Sequence, residues 1–293
     1  MAVYIFDQNT PGAPTMTATA GSLITLLDFI LVAQLGWTKP FSDTNKAVYR
    51  QPPGSNEFYL RVVDSGTAQE SSRVRGYEAM TDIDTGTGPF PTVAQKSGDG
   101  ATFAKPVSAG GYRWYCVSDG KIFYLAFSNS TSTSENVDTN VFGDFHSFVP
   151  GDQYNTVLAE PDNTYSVSGG SHYVARSGTQ SGGAVACSRN NGYTYMSGNS
   201  AVGYGNVPYP DPLTGGAALH PAFLDETYSG SARASRGYLP GWWMPLYNTF
   251  QASAPAVGVT FSGGATMPGR QFIVKHGGSA ARAVFETSDT WGL

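Results

Sequence analysis

The chain predicts a mainly β protein with a minor α component, arranged as a β-sandwich or irregular barrel-like sheets around one buried N-terminal helix. Three observations lead there. Tyr112–Phe127 reads YRWYCVSDGKIFYLAF, two apolar alternating runs joined by Asp-Gly, a strong short-range hairpin signal. Charged residues make up only 13% of the chain, against about a quarter in ordinary domains, while 36 Gly, 18 Pro and a 13% aromatic share take their place. Aromatics suit a pleated surface and Gly and Pro punctuate it, so this mixture favours strands and tight turns. Finally, one strongly apolar run, Leu23–Leu35, has the length of a helix.

That run (LITLLDFILVAQL) is thirteen residues long and carries Thr25, Asp28 and Gln34, well short of the ~20 apolar residues needed to cross a bilayer. It predicts a buried helix over 22–35, with Ser22 as N-cap and Gly36 as the C′ residue. Its apolar residues go nearly all the way round, so cover is needed on most sides, from its own domain or from a neighbouring subunit.

Strands are expected at Glu57–Val63 and Arg73–Ala79, where the pattern shortens to period two, and Thr81–Gly100 reads as a long Gly, Pro and Asp-rich connection. In the hairpin, a two-residue loop at Asp119-Gly120 would pair Ser118 with Lys121, Trp114 with Leu125 and Cys116 with Phe123 on one face. Tyr115 would meet Tyr124 and Val117 would meet Ile122 on the other. Both faces are apolar, so both should be covered, one of them by the helix. The expected organisation is an N-terminal arm (1–20), a β-rich domain with the helix 22–35 and the hairpin 112–127 (21–160), and a Gly/Tyr-rich β domain (165–293). Within the last, short strands are expected at Tyr193–Met196, Gly258–Phe261, Gln271–Lys275 and Ala283–Glu286.

The net charge of -5, without a Lys/Arg cluster, gives a phosphate backbone no basic track to neutralise, which argues against nucleic-acid binding. Only Cys116 and Cys187 are present, too few for a disulfide framework, and the N-terminus lacks the basic residue of a secretory signal. His146, His172, His220 and His276 share no metal-ligand spacing, and HExxH and CxxC are absent. Gln180-Ser181-Gly182-Gly183 has a passing likeness to a serine-protease nucleophile loop but reads as a Gly-rich turn.

Asp82-x-Asp84-x-Gly86 resembles the opening of a calcium loop, yet its twelfth position is Val93, where a bidentate carboxylate is required. Carboxylate pairs for glycoside hydrolysis would have to come from Asp82, Asp84, Asp144, Asp152, Asp225 and Glu226, whose separations the fold sets. The expectation is therefore no catalytic, cofactor or metal site. Trp242 and Trp243, with Tyr238 and Pro240 in the stretch RGYLPGWWMPLY, are the candidate interface residues, divided between core and subunit contact because adjacent residues on an extended segment face opposite ways.

The blocks LGWTKPFSDTNKAVYR (Leu35–Arg50), FYLRVVDSG (Phe58–Gly66), RVRGYEAMTDIDTGTGPFP (Arg73–Pro91), FGDFHSFVPGDQYNTVL (Phe142–Leu158) and ASRGYLPGWWMPLYN (Ala234–Asn248) resemble a family of tailed-bacteriophage virion proteins from phages and prophages of proteobacteria. The resemblance implies a non-catalytic structural component of the particle, in the tail or baseplate, assembled in the bacterial cytosol. Its implied partners are copies of itself and other virion proteins, with the arm at 1–20 expected to reach a neighbour. A capsid-surface or neck position is the alternative, as is a carbohydrate- or receptor-binding tail module with a host-surface glycan as partner for the C-terminal aromatics.

Overall fold

The computed structural model describes residues 2–66, 72–103, 105, 113–128, 137–159, 185–187, 194–197, 219–227, 233–245, 260–274, 284–289 and 291. The protein is mainly β, with 49% strand and 9% helix, and among the described residues no sheet closes into a barrel. Of the two arrangements expected, the stacked one is present.

The central sheet runs, edge to edge, Tyr4–Asp7 (β1), Trp114–Ser118 (β9), Ile122–Ser128 (β10), Val137–Asp144 (β11), Thr156–Ala159 (β13) and Val185–Cys187 (β14), all antiparallel. Alternation along β9 and β10 sends Trp114, Cys116, Phe123, Leu125 and Phe127 to one face and Val117, Tyr124 and Ala126 to the other. Both faces are buried. The first packs into a core shared with the N-terminal helix and a second sheet; the other packs into a core shared with the C-terminal sheet.

The second sheet has the order Thr38–Asp43 (β2), Lys46–Arg50 (β3), Tyr59–Asp64 (β4), Ser72–Tyr77 (β5) and Ala101–Phe103 (β8). Its inward residues Ala47, Leu60, Val62 and Val74 are fully buried. Its outward face carries Arg61 and Arg75, and the connection 81–100, with the small ribbon Ala79–Met80 (β6) and Gly86–Thr87 (β7), is strapped over it. Arg61 holds Asp84 and Asp99, while Arg75 donates to the carbonyls of Lys96 and Gly98 at 2.7 and 3.0 Å.

The helix begins at Ser22 as α1 (Ser22–Leu27) and widens to a π-helix over Asp28–Gln34. Leu23, Leu26, Leu27, Ile30 and Leu31 form the stripe that an amphipathic helix buries. The opposite side, with Val32, Ala33 and Gln34, faces solvent, so cover on all sides is not needed. Gly36 sits at φ 73°, as expected of a C′ glycine. Ser22 is not the cap: its hydroxyl donates to the Thr17 carbonyl at 2.6 Å, and Asp64 on β4 accepts from the Leu23 N–H at 2.8 Å instead. A carboxylate on a helix N–H is the stronger bond, so a residue 41 positions away replaces the local hydroxyl. Asp64 also pairs with Lys105, and both side chains are completely buried. No helix among the described residues is long and apolar enough to cross a membrane.

The hairpin turn corrects the expected register. Ser118 pairs with Phe123, Cys116 with Leu125 and Trp114 with Phe127, a slip of two residues that leaves each side chain on its expected face. The loop spans 119–122 because its polar groups bond elsewhere. Asp119 accepts from the N–H groups of Lys121 and Ile122 at 2.9 and 3.0 Å, the Gly120 carbonyl accepts from the Trp37 indole at 2.8 Å, and the Lys121 carbonyl from Gln51 at 3.0 Å.

The C-terminal sheet has the order Thr194–Ser197 (β15), Leu219–Thr227 (β16), Arg233–Pro245 (β17), Val284–Glu286 (β20), Gln271–Val274 (β19) and Thr260–Ser262 (β18), with the two-residue strand His146–Ser147 (β12) also on β17. The four short C-terminal strands fall where the periodicity placed them. The long pair β16 and β17 is an addition. Between Ala222↔Leu239 and Pro221↔Trp243 the register jumps, so Pro240, Gly241 and Trp242 bulge out of the ladder, which is how a strand accommodates a proline. The expected domain boundary at 161–170 lies outside the described residues.

Candidate functional site

The carboxylates proposed for chemistry are all tied to internal donors where their side chains are described. Asp82 accepts from the Ile83 N–H at 2.5 Å, and Asp225 from the Ser235 hydroxyl at 2.6 Å. Asp84 is held by Lys46 at 2.7 Å and by Arg61, so two cations stand where a calcium ion would bind. Those same neighbours, Lys46 first, hold the Asp84 carboxyl below its ordinary range. Asp152 pairs with Arg236 at 3.1 Å and accepts from Ser147 at 2.7 Å. The Glu226 side chain, Gln180–Gly183, His172 and His276 lie outside the described residues. Among the described residues no three His, Cys, Asp or Glu side chains group closely enough to hold a metal ion.

Two carboxylates with perturbed electrostatics lie at the tip of the central hairpin. Asp144, at the end of β11, accepts from Gln51 Nε2 at 2.8 Å, Thr156 Oγ1 at 2.7 Å and the Asn56 N–H at 2.8 Å, and its own N–H donates to the Lys121 carbonyl at 3.2 Å. Burial pushes the Asp144 carboxyl up despite those donors, and does the same to Asp119 against the N–H groups of Ile122 and Lys121. Groups with raised folded values bind more protons folded than unfolded, so their stabilisation is complete below the ordinary aspartate value, about 4, and is lost as pH climbs through the raised values. The expected result is a urea midpoint that falls across that window, with a shallower slope in Asp144→Asn. Asp84 acts oppositely, losing its contribution as pH falls through its lowered value.

The four candidate interface residues are inside the protomer. Trp242 is 1% exposed and lies 4.8 Å from Phe285 and 5.3 Å from Tyr124, ring centre to ring centre. Trp243 points the other way, its indole donating to Glu286 at 3.0 Å beneath Arg270. The Pro240 carbonyl accepts from Tyr124 Oη at 2.7 Å, and Tyr238 is buried under His146. The opposed directions of the two tryptophans are as read from the sequence; their availability to a neighbour is not, because β16, β20 and the 145–155 loop enclose this strand.

No family model and no curated protein matches the chain. Its functional surface therefore has to come from what it leaves exposed.

Two places stand out. The first is β1. The N-terminal segment does not project outward as expected: β1 closes the edge of the central sheet, and Phe6, Met16 and Ala18 are buried against the chain's own core. Among the described residues β1 pairs with β9 alone, and Tyr4 and Ile5 on it are 41% and 46% exposed. The second is the loop 145–155, which carries Phe148, Val149 and Tyr154 outward. It is closed by Phe145 and Asn155, whose backbone N–H and carbonyl bond at 2.8 Å, and clamped to β17 through the Phe148 N–H on the Arg236 carbonyl at 2.8 Å. Gly237 permits this approach, since a Cβ there would meet the His146 carbonyl at 2.1 Å. Sequence reading missed this second place.

Proposed function

We propose that this chain is a structural, non-catalytic component of a tailed-bacteriophage virion, in the tail or baseplate, assembling with copies of itself and with other virion proteins. The observation that carries the reading is the β1 edge, which among the described residues pairs with β9 alone. It belongs to a sheet buried on both faces, so lateral strand pairing around Ile5 is the contact this edge offers, between Val3 and Asp7, whose N–H groups donate to Asp289 and Thr10, and exposed Tyr4 and Ile5 supply apolar area there. The sequence blocks that resemble phage virion proteins support the same reading, as does the engagement of the described candidate carboxylates in internal bonds.

Placing a lysine on this edge should block pairing without unfolding the protomer. Ile5→Lys is expected to leave the free energy of unfolding within about 0.5 kcal/mol of the parent's. Self-association followed by sedimentation should weaken ~10-fold or more. Phage particles lacking the protein should be incomplete by negative-stain microscopy. Normal, complete particles would sink the proposal.

A further inference from the structure

The outer face of the C-terminal sheet carries an unbroken row of rings. Phe223 on β16, Tyr238 on β17 and His146 on β12 are in register across three strands. His146 stacks on Tyr238 at 4.8 Å, Phe148 lies over Tyr238 and Phe223 at 5.9 and 6.3 Å, and His220 stacks on Phe223 at 6.4 Å. Tyr238 forms the floor; Phe148 is 48% exposed and His146 is exposed. We propose that this row is a carbohydrate-binding site that takes a neutral glycan.

A pyranose offers an apolar C–H face bordered by hydroxyl edges, and the surface here has the matching layout of aromatic faces bordered by hydrogen-bonding groups. The ring nitrogens of exposed His146 lie at one end of the row, and Asp225 with exposed Ser235 flanks Phe223 at the other. Charge excludes the main competitors. Arg236 is paired with Asp152, and both are largely buried, so among the described residues the row offers no free cation to a phosphate backbone or an anionic lipid surface. The site is also built in advance. Phe148 is fixed by its own N–H on the Arg236 carbonyl, and the loop behind it by Ser147 on Asp152 and by Arg236 on the Tyr154 carbonyl at 2.8 Å. A ligand would meet ordered rings and would not have to order a loop.

The test is affinity electrophoresis of the full chain through gels containing one of three neutral polysaccharides, dextran, arabinoxylan or mannan. At least one should retard the parent protein. Phe148→Ala should weaken that retardation ~10-fold, the loss of one stacking contact. Phe148→Trp should keep it, and Ile5→Lys should leave it unchanged. A melting temperature equal to the parent's would show that Phe148→Ala, at a half-exposed position, still folds. Absence of retardation by all three polymers, or equal retardation of parent and Phe148→Ala, would overturn the proposal. So would a change in the sedimentation of Phe148→Ala, which would make the row a contact between copies. None of these outcomes bears on the role of β1.

Discussion

Lys105→Met is expected to lower the free energy of unfolding by about 3–5 kcal/mol, the usual cost of removing one partner of a fully buried ion pair. The ammonium of Lys105 is satisfied on three sides, by Asp64 and by the carbonyls of Thr19 and Gly66 at 3.1 and 2.6 Å. Asp64 in turn accepts from Ser72 at 2.8 Å and from the Leu23 N–H, so one carboxylate joins β4, β5, the first turn of the helix and the segment before it. Without the cation Asp64 is left as a buried charge held, among the described residues, by Ser72 and the Leu23 N–H alone, and the Gly66 carbonyl loses its lysine donor, while the Thr19 carbonyl keeps the Ser22 N–H. The double variant Asp64→Asn, Lys105→Met removes both charges and should recover much of the loss. A denaturation cycle over the parent, the two single variants and the double would read the coupling directly. Additive effects would contradict the arrangement described here.

Trp242→Ala carries the second large effect, again about 3–5 kcal/mol, because it empties a site enclosed by Tyr124, Phe285 and the far wall of the second core. Tyr124 stacks on Phe285 at 5.0 Å and lies 5.7 Å from Trp291, so the cavity would open between the central hairpin and the C-terminal sheet. The denaturation midpoint should drop at unchanged denaturant slope. Trp243→Ala should cost less, since Glu286 keeps Arg270 at 3.2 Å as its partner. Unchanged stability in Trp242→Ala together with weakened self-association would return this residue to the surface.

Much of the framework was legible before any coordinates. The two-sided burial of the hairpin followed from apolar residues at both parities of Tyr112–Phe127, and parity survives a register slip of two, which is why the faces were right and the pairing was wrong. The turn width depends on Trp37, Gln51 and Asp144, donors to its carbonyls that are remote in the chain. Ser22 failed as a cap for the same reason: a buried carboxylate from β4 outbid it. The opposed directions of Trp242 and Trp243 follow from adjacency on an extended segment, but a bulge inside a long central strand looks the same in sequence as an exposed irregular segment.

The surfaces divide along the same line. The exposed β1 edge and the row His220, Phe223, Phe148, Tyr238 and His146 had no spacing that a single-sequence reading could catch, because the row is assembled from three strands and a loop. By itself the amino-acid order determined what is local or periodic: strand-forming composition, which side chains share a face, one short apolar helix, and a net negative balance. The tertiary structure alone decided which buried charge met which partner, how wide the central turn opened, and which aromatics reached solvent. Those outcomes depend on groups far apart in the chain competing for the same hydrogen bonds and the same dry volume, and only the packed molecule brings the competitors together.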